Sequence, residues 1–160
     1  MPHEQIERAW ELLQQGYRAQ MEGEFDRAVE LYKDSLQTFP TAEAHTYLGW
    51  TYHFQGKVED AIEECKRAIE VDPDFGNPYN DIGAYLISLG RCDEAIPWLE
   101  RAIEAPRYDP RHYPYFNLGR AYFSKGMINR ARQYFQEALR IEPGYALARQ
   151  AVENIRRMLN

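Results

Sequence analysis

Residues 42–74 read AEAHTYLGWTYHFQGKVEDAIEECKRAIEVDPD. In each half of this stretch apolar residues recur every three or four positions, which predicts two amphipathic helices. Gly56 lies between the halves and suits the left-handed backbone conformation that often follows a helix end. Pro73 ends the second helix because proline lacks an amide hydrogen and its ring clashes with the preceding turn. The stretch therefore predicts a helix–turn–helix unit.

The same unit recurs along the chain, with marker positions 33, 34 and then 36 residues apart. The markers are mid-helix glycines, turn glycines and small residues of the second helix: Gly16, Gly49, Gly83 and Gly119; Gly23, Gly56, Gly90 and Gly126; Ala28, Ala61, Ala95 and Ala131. A glycine inside a helix costs about 1 kcal/mol relative to alanine. Four of them in register predict that the backbone of another helix comes close at each site.

The order of residues in this unit resembles the tetratricopeptide repeat, whose pattern is W-x-x-L-G-x-x-Y followed by Gly, Ala, an aromatic residue, Ala and Pro. The matching residues are His45, Leu48, Gly49, Tyr52, Gly56, Ala61, Cys65, Ala68 and Pro73. Two later copies match as Tyr79-x-x-Ile82-Gly83-x-x-Leu86 and Tyr115-x-x-Leu118-Gly119-x-x-Tyr122. The resemblance covers about residues 8–143. It implies an all-α fold, a right-handed α-solenoid of four helix–turn–helix units plus a C-terminal capping helix.

The resemblance also implies a single domain over residues 1–160, with repeats at about 8–41, 42–75, 76–111 and 112–143 and a capping helix at about 144–159. The first repeat departs from the pattern at Gln15 and Ala19, and its first helix extends backward through Ile6 and Trp10. Such a departure is typical of a terminal repeat, which is solvated on one side. In the last helix, we expect Leu147, Ala151, Ile155 and Leu159 to form the apolar stripe.

Two features interrupt the regular pattern. Pro97 lies inside the second helix of the third repeat, where it kinks the helix unless it falls in the first turn. The junction EAPRYDPRHYP, residues 104–114, is two residues longer than the others, and we expect Tyr108 and Tyr113 to pack it down. The junction and the following FNLGRAYFSKG resemble the type IV pilus assembly lipoproteins, which are also tetratricopeptide proteins, although no lipid-attachment cysteine lies near the start of this chain.

In this family the first helices line a concave groove. Carried onto this sequence, the groove positions hold aromatic residues, amides and two charged residues: Tyr17, Tyr47, Trp50, Phe54, Asn77, Asn80, Asp81, Tyr113, Phe116, Asn117 and Arg120. An amide side chain donates and accepts hydrogen bonds at once, which suits an extended peptide with unpaired backbone groups. Aromatic side chains supply contact area at low entropic cost. The alternative is that many of these aromatics only pack between helices.

One known use of the family is the clamp that binds the C-terminal carboxylate of heat-shock chaperones with two Lys, two Asn and an Arg. In one register this chain places Leu13, Tyr17, Tyr47, Asn77 and Asp81 at those positions, and one repeat later Thr46, Trp50, Asp81, Tyr113 and Asn117. Neither register supplies the cations, and Asp81 repels a carboxylate. We therefore do not expect a chaperone-tail clamp.

Composition excludes several other classes. The formal net charge of −6 offers no positive field for phosphate, so we do not expect nucleic acid as a partner. No stretch approaches the ~18 apolar residues of a membrane span, and no targeting signal is present, so we expect no membrane insertion and a cytoplasmic location. Cys65 and Cys92 have no close-spaced pairing for zinc or redox chemistry, and free thiols are the expectation.

No constellation of catalytic residues is evident, so we expect no enzymatic activity, no cofactor and no metal. The four histidines are dispersed, and His45 occupies the place of a large core residue. His53 is positioned to face the groove, where its titration would make binding pH-sensitive. The carboxylates Glu59, Asp60, Glu63 and Glu64 are expected on solvated helix faces.

The sequence thus predicts a non-catalytic scaffold or adaptor that binds a peptide segment of a partner protein in the concave groove. The alternative is a structural assembly subunit that self-associates, as a homo-oligomer, or takes part in building a pilus or envelope complex. The long junction and the aromatic content, 12 Tyr, 7 Phe and 3 Trp, favour that alternative.

Overall fold

The computed structural model describes all residues from 1 to 160 as nine α-helices joined by short connections. The helices are α1 (Pro2–Met21), α2 (Phe25–Thr38), α3 (Ala42–Phe54), α4 (Val58–Val71), α5 (Asn77–Ser88), α6 (Cys92–Glu104), α7 (His112–Ser124), α8 (Ile128–Ile141) and α9 (Ala146–Leu159). This confirms the all-α prediction. No helix combines the length and the apolar character that crossing a bilayer requires.

The helices pack as consecutive pairs, α1 with α2, α3 with α4, α5 with α6 and α7 with α8. Each pair is closed by a three-residue turn whose glycine has a positive φ, between +76° and +79°, at Gly23, Gly56, Gly90 and Gly126. Only glycine adopts this conformation without strain. The predicted turn glycines are therefore confirmed, and so short a turn makes each pair a hairpin.

The hairpins stack so that the odd-numbered helices α1, α3, α5 and α7 contact each other in sequence, forming one layer. The even-numbered helices lie in a second layer and do not pack on one another to a comparable extent. The layer whose helices approach each other more closely is the inner side of a curved stack. We call the side chains that α1, α3, α5 and α7 expose on this layer the inner face.

The mid-helix glycines lie where a helix meets its partner, but not in the way predicted. A Cβ at Gly16 or Gly119 would lie 2.7 Å from the Tyr32 ring or 2.5 Å from the Phe135 ring, and at Gly83 it would meet the Leu99 side chain. Only at Gly49 is the nearest atom backbone, the Ala61 oxygen at 3.0 Å. The glycines therefore mostly accommodate large side chains, and a backbone comes close only where Cys65 is small.

The long junction between α6 and α7 folds back onto the α4–α5 connection. The Gly76 amide donates to the Arg107 carbonyl, and the Arg107 amide donates to the Asp74 carbonyl. Tyr108 is 7% exposed and covers Gly76, as predicted for this tyrosine, whereas Tyr113 is 40% exposed. The Arg111 guanidinium donates to the carbonyls of Ile103 and Ala105 at the end of α6.

Two further predictions concern Pro97 in α6 and the apolar stripe of α9. Pro97 lies inside α6, which continues from Cys92 to Glu104. The predicted stripe of α9 is wrong in part, because Leu147 and Leu159 are 59% and 52% exposed. The buried residues are Ala148 and Ile155, with Ala151 and Val152 packed at the edge of the core. The apolar stripe of α9 therefore begins at Ala148 instead of Leu147, and it still has four residues.

Candidate peptide-binding groove

Helical spacing places the predicted groove residues in rows along the inner face. On α3 the row is Tyr47, Trp50 and Phe54, at intervals of three and four residues, which keep side chains on one face of a helix. The α1 row runs through Trp10, Tyr17 and Met21, at intervals of seven and four. The rows touch, since the rings of Tyr17 and Tyr47 lie 5.8 Å apart. Beside this contact lies an open cleft of about 360 Å³, lined by the two tyrosines together with Leu13 and Gln14.

The α1–α3 end of the inner face is aromatic and accessible. Phe54 is 51% exposed even though its ring stacks on Phe25 at 5.5 Å, and Trp50 lies 5.3 Å from Phe54. Tyr17 is 42% exposed. Each of these rings therefore packs on a neighbouring ring and still presents part of its area to solvent.

Trp10 and Met21 also lie at this end, although neither was among the predicted groove residues. They are 38% and 52% exposed. Extending the helical register of Tyr17 by seven residues backward and four forward finds both, so the signal was present in the sequence.

The α5–α7 end of the inner face is polar and internally hydrogen-bonded. The Asn117 amide donates to Asn80 Oδ1 at 2.9 Å, and Arg120 Nη1 donates to Asn117 Oδ1 at 3.0 Å. Asn80 and Asn117 are buried, at 8% and 7% exposure, so their amides chiefly join α5 to α7. Asn77 and Arg120 remain partly exposed beside them.

Asp81 lies on α5 between the aromatic and the polar ends. Burial raises the pKa of Asp81 to about 7. Asn80 has a smaller effect, which lowers this pKa. The charge of Asp81 also acts on α3. The pKa of Tyr47 is raised first by burial and then by Tyr17, Glu43 and Asp81. A carboxyl group with this environment is poised between its neutral and ionised forms near neutral pH.

Tyr113 and Phe116 contact a partner that the sequence did not reveal. The Tyr145 ring, just before α9, meets the Phe116 ring edge-on at 5.2 Å and the Tyr113 ring at 5.6 Å. His112 stacks into the same group, 4.2 Å from Tyr113. These contacts cover part of Tyr113, which remains 40% exposed.

One predicted surface residue is buried. Glu64 was expected on a solvated face, but its side chain is only 8% exposed, and it accepts hydrogen bonds from His45 Nδ1 at 2.8 Å and from Arg67. Burial alone would raise the pKa of Glu64, yet the hydrogen bond and charge of His45 together with Arg67 lower it. His45 is thus packed, as predicted, and its partner is a carboxylate.

The described side chains form no cluster of three or more His, Cys, Asp or Glu residues that could hold a metal ion. Cys65 is buried in α4 and Cys92 begins α6, and both thiols are free. His53, expected to face the groove, stacks on the Tyr85 ring at 4.8 Å and stays partly exposed.

Comparisons with known proteins match the repeat pattern. A tetratricopeptide repeat family model matches residues 74–142, and a second model of the same repeat matches residues 42–75. The small glutamine-rich tetratricopeptide repeat-containing protein 2 of Mycosarcoma maydis is 26% identical over 102 residues, which are 63% of this chain and 29% of that protein. The chain thus spans less than a third of that relative.

Two bacterial likenesses cover more of the chain. The type IV pilus assembly protein PilF of Pseudomonas aeruginosa is 27% identical over 138 residues, 84% of this chain and 52% of that protein. A solved structure of PilF superimposes with a TM-score of 0.89 at 22% identity, over 94% of this chain and 68% of that one. The crystal structure of MamA is 29% identical, with a TM-score of 0.73 over 88% of this chain and 81% of that one.

Proposed function

The chain belongs to the tetratricopeptide repeat family, and from that premise we propose that it is a non-catalytic scaffold that holds a segment of a partner protein on its inner face. Proteins of this family mediate protein–protein interactions. One observation carries the proposal: the aromatic rows of α1 and α3 lie side by side and stay accessible, with Tyr17 42% and Phe54 51% exposed.

The physical argument rests on what an accessible aromatic row can do. Tyr, Trp and Phe dominate the affinity of protein interfaces because they bury a large area while ordering few torsions. Trp50 and Phe54 lie next to each other, so one apolar side chain of a guest can contact both. We expect a segment bound in this way to reach the micromolar range, about −8 kcal/mol.

The test is a peptide selection followed by matched variants. Random dodecapeptides displayed on phage are selected on the wild-type chain, and the affinity of each synthetic peptide is measured by fluorescence anisotropy. Trp50→Ala with Phe54→Ser should weaken binding at least about thirtyfold, as expected for a hot spot. Val71→Ser, which removes a 43% exposed apolar residue from the outer helix α4, is the matched control.

Equal affinity of the selected peptides for the groove variant and the wild type would contradict the proposal. Circular dichroism melts of both variants distinguish lost contact from lost folding. We avoid Asn117→Ala as a groove probe, because removing this amide leaves Asn80 without its buried hydrogen-bond partner.

A second candidate is a structural assembly subunit, and the likeness to PilF over 84% of the chain favours it. The apolar side chains Trp10 and Met21 would then contact another copy or an assembly partner. Light scattering over a hundredfold range of protein concentration tests the self-association version. A constant monomer mass excludes the self-association version and leaves assembly with a different partner protein.

A further inference from the structure

Asp81 differs from every other buried or partly buried carboxylate of the chain. Six Asp and Glu side chains are buried or partly buried: Glu43, Glu64, Asp72, Asp81, Glu137 and Glu153. Five of them have a Lys, Arg or His nitrogen within 4 Å. Asp81 forms no ion pair. Asp81 is therefore the one buried or partly buried carboxylate to which the chain supplies no cation, and it lies on α5, a helix of the inner layer.

The groups around Asp81 offer it no positive charge from any neighbouring helix. The titratable groups that sense its charge are Tyr47 on α3, Cys65 on α4, Tyr85 on α5 itself and Tyr108 in the junction. All four are acids. The Arg120 guanidinium on α7 donates a hydrogen bond to Asn117. His53 on α3 stacks on Tyr85.

The position of Asp81 leaves one side open. Asp81 is partly exposed, and it lies close enough to α3 for its charge to act on Tyr47. A carboxylate binds a guanidinium or ammonium group by a charge-assisted hydrogen bond, and a nearby aromatic ring adds cation–π attraction. The net charge of −6 attracts such a group from a distance.

We propose that Asp81 and Tyr47 bind an arginine or lysine side chain of the segment held on the inner face. The proposal rests on the proposed function and specifies the chemistry of the guest. It reverses the charge preference of the carboxylate clamp, in which cations of the repeat domain bind an anionic tail.

The proposal predicts a pH dependence with a defined sign. Because burial raises the pKa of Asp81 to about 7, the group is largely protonated at pH 6 and largely ionised at pH 8. A cationic guest binds the ionised form, so binding releases a proton below pH 7. Affinity should therefore rise from pH 6 to pH 8.

The experiment uses the selected dodecapeptides and changes one charge on each side. Peptides selected on the wild-type chain should be enriched in Arg and Lys, and replacing the arginine by citrulline should weaken binding about tenfold. Asp81→Asn should bind the arginine and citrulline peptides equally and lose the rise between pH 6 and pH 8. Asp60→Asn, on an exposed part of α4, should behave like the wild type.

The outcomes separate the two proposals. Peptides that need Trp50 but show no difference between arginine and citrulline overturn the cation site and leave the groove intact. This comparison uses the unmodified chain, so it holds even if Asp81→Asn disturbs folding. Peptides that bind without Trp50 overturn the proposed function itself. A pH rise that persists in Asp81→Asn also overturns the assignment to Asp81.

Discussion

A methyl group at Gly119 would lie 2.5 Å from the Phe135 ring, which is 3% exposed and belongs to the core. Gly119→Ala gains about 1 kcal/mol of helix propensity but overpacks the core by about 1–3 kcal/mol. We expect a net loss of about 1 kcal/mol in the free energy of unfolding, measured by urea denaturation. Gly144→Ala is the control, because its added Cβ lies 3.4 Å from the Glu142 carboxylate, an ordinary contact.

A smaller residue at position 135 should relieve the clash. In the Gly119→Ala background, Phe135→Leu should cost less than it costs alone, because the shorter side chain makes room for the added methyl. Strictly additive free energies for the two changes would show that Gly119 and Phe135 are not coupled.

Glu64 provides a pH-dependent contribution to stability. Its pKa is lower in the folded chain than in the unfolded one, so its stabilising effect is present above about pH 4.3, the ordinary glutamate value, and is lost as the pH falls through the folded pKa. Glu64→Gln should lower the free energy of unfolding at pH 7 by about 2 kcal/mol, and the difference should shrink as the pH falls through the folded pKa of Glu64.

Urea denaturation across this pH range measures the effect, and Glu63→Gln is the matched control on the exposed side of α4. An equal loss at pH 7 and pH 3 would show that Glu64 acts through packing and not through its charge.

The sequence revealed the residue types of the inner face better than their environments. Tyr17, Tyr47, Trp50 and Phe54 were predicted because the family resemblance assigns the first helices to the groove and each residue's position within its repeat follows from the sequence. The hydrogen bond between Asn80 and Asn117 was not, because it joins residues 37 positions apart on different helices. Glu64 was assigned to the surface for the same reason: its partner His45 lies on another helix, and only the packing of α3 on α4 brings them together.

At the scale of elements, all four hairpins follow from short-range signals. The turn glycines and the terminal prolines specify where chains reverse and helices end. The shift of the α9 stripe from Leu147 to Ala148 could not be seen, because Leu and Ala are both apolar and the docking of α9 on α7 and α8 decides which one is covered. The folded-back junction likewise depends on backbone hydrogen bonds to a distant loop.

The junction between α6 and α7 depends on Arg111 as a cap. Its guanidinium donates hydrogen bonds to the carbonyls of Ile103 and Ala105. Carbonyls at the end of a helix have no hydrogen-bond donor within the helix, so Arg111 supplies the missing donor. Arg111→Ala should lower the free energy of unfolding by about 1–2 kcal/mol and speed amide exchange in the last turn of α6. Glu100→Gln, an exposed change that precedes the last turn of the same helix, should leave amide exchange in that turn unchanged.

The whole molecule contains two main apolar clusters. The first joins α1, α2 and α3 through Leu13, Tyr32 and Leu48, and the second runs from α4 to α9. Tyr52 packs against both clusters. In stacked repeats each unit contacts only its neighbours, so stability is distributed along the stack and parts of it can open separately.

Two matched substitutions test this division. Leu48 is 2% exposed in the first cluster and Leu118 is 0% exposed in the second, at the same position of their hairpins. Each Leu→Ala change should cost about 2–5 kcal/mol locally. Hydrogen exchange followed by mass spectrometry should show Leu48→Ala exposing amides mainly in α1–α4, and Leu118→Ala mainly in α6–α9. Equal loss of protection in all nine helices for both variants would show that the stack unfolds as a single cooperative unit, so that a guest bound at one end stabilises the other end equally.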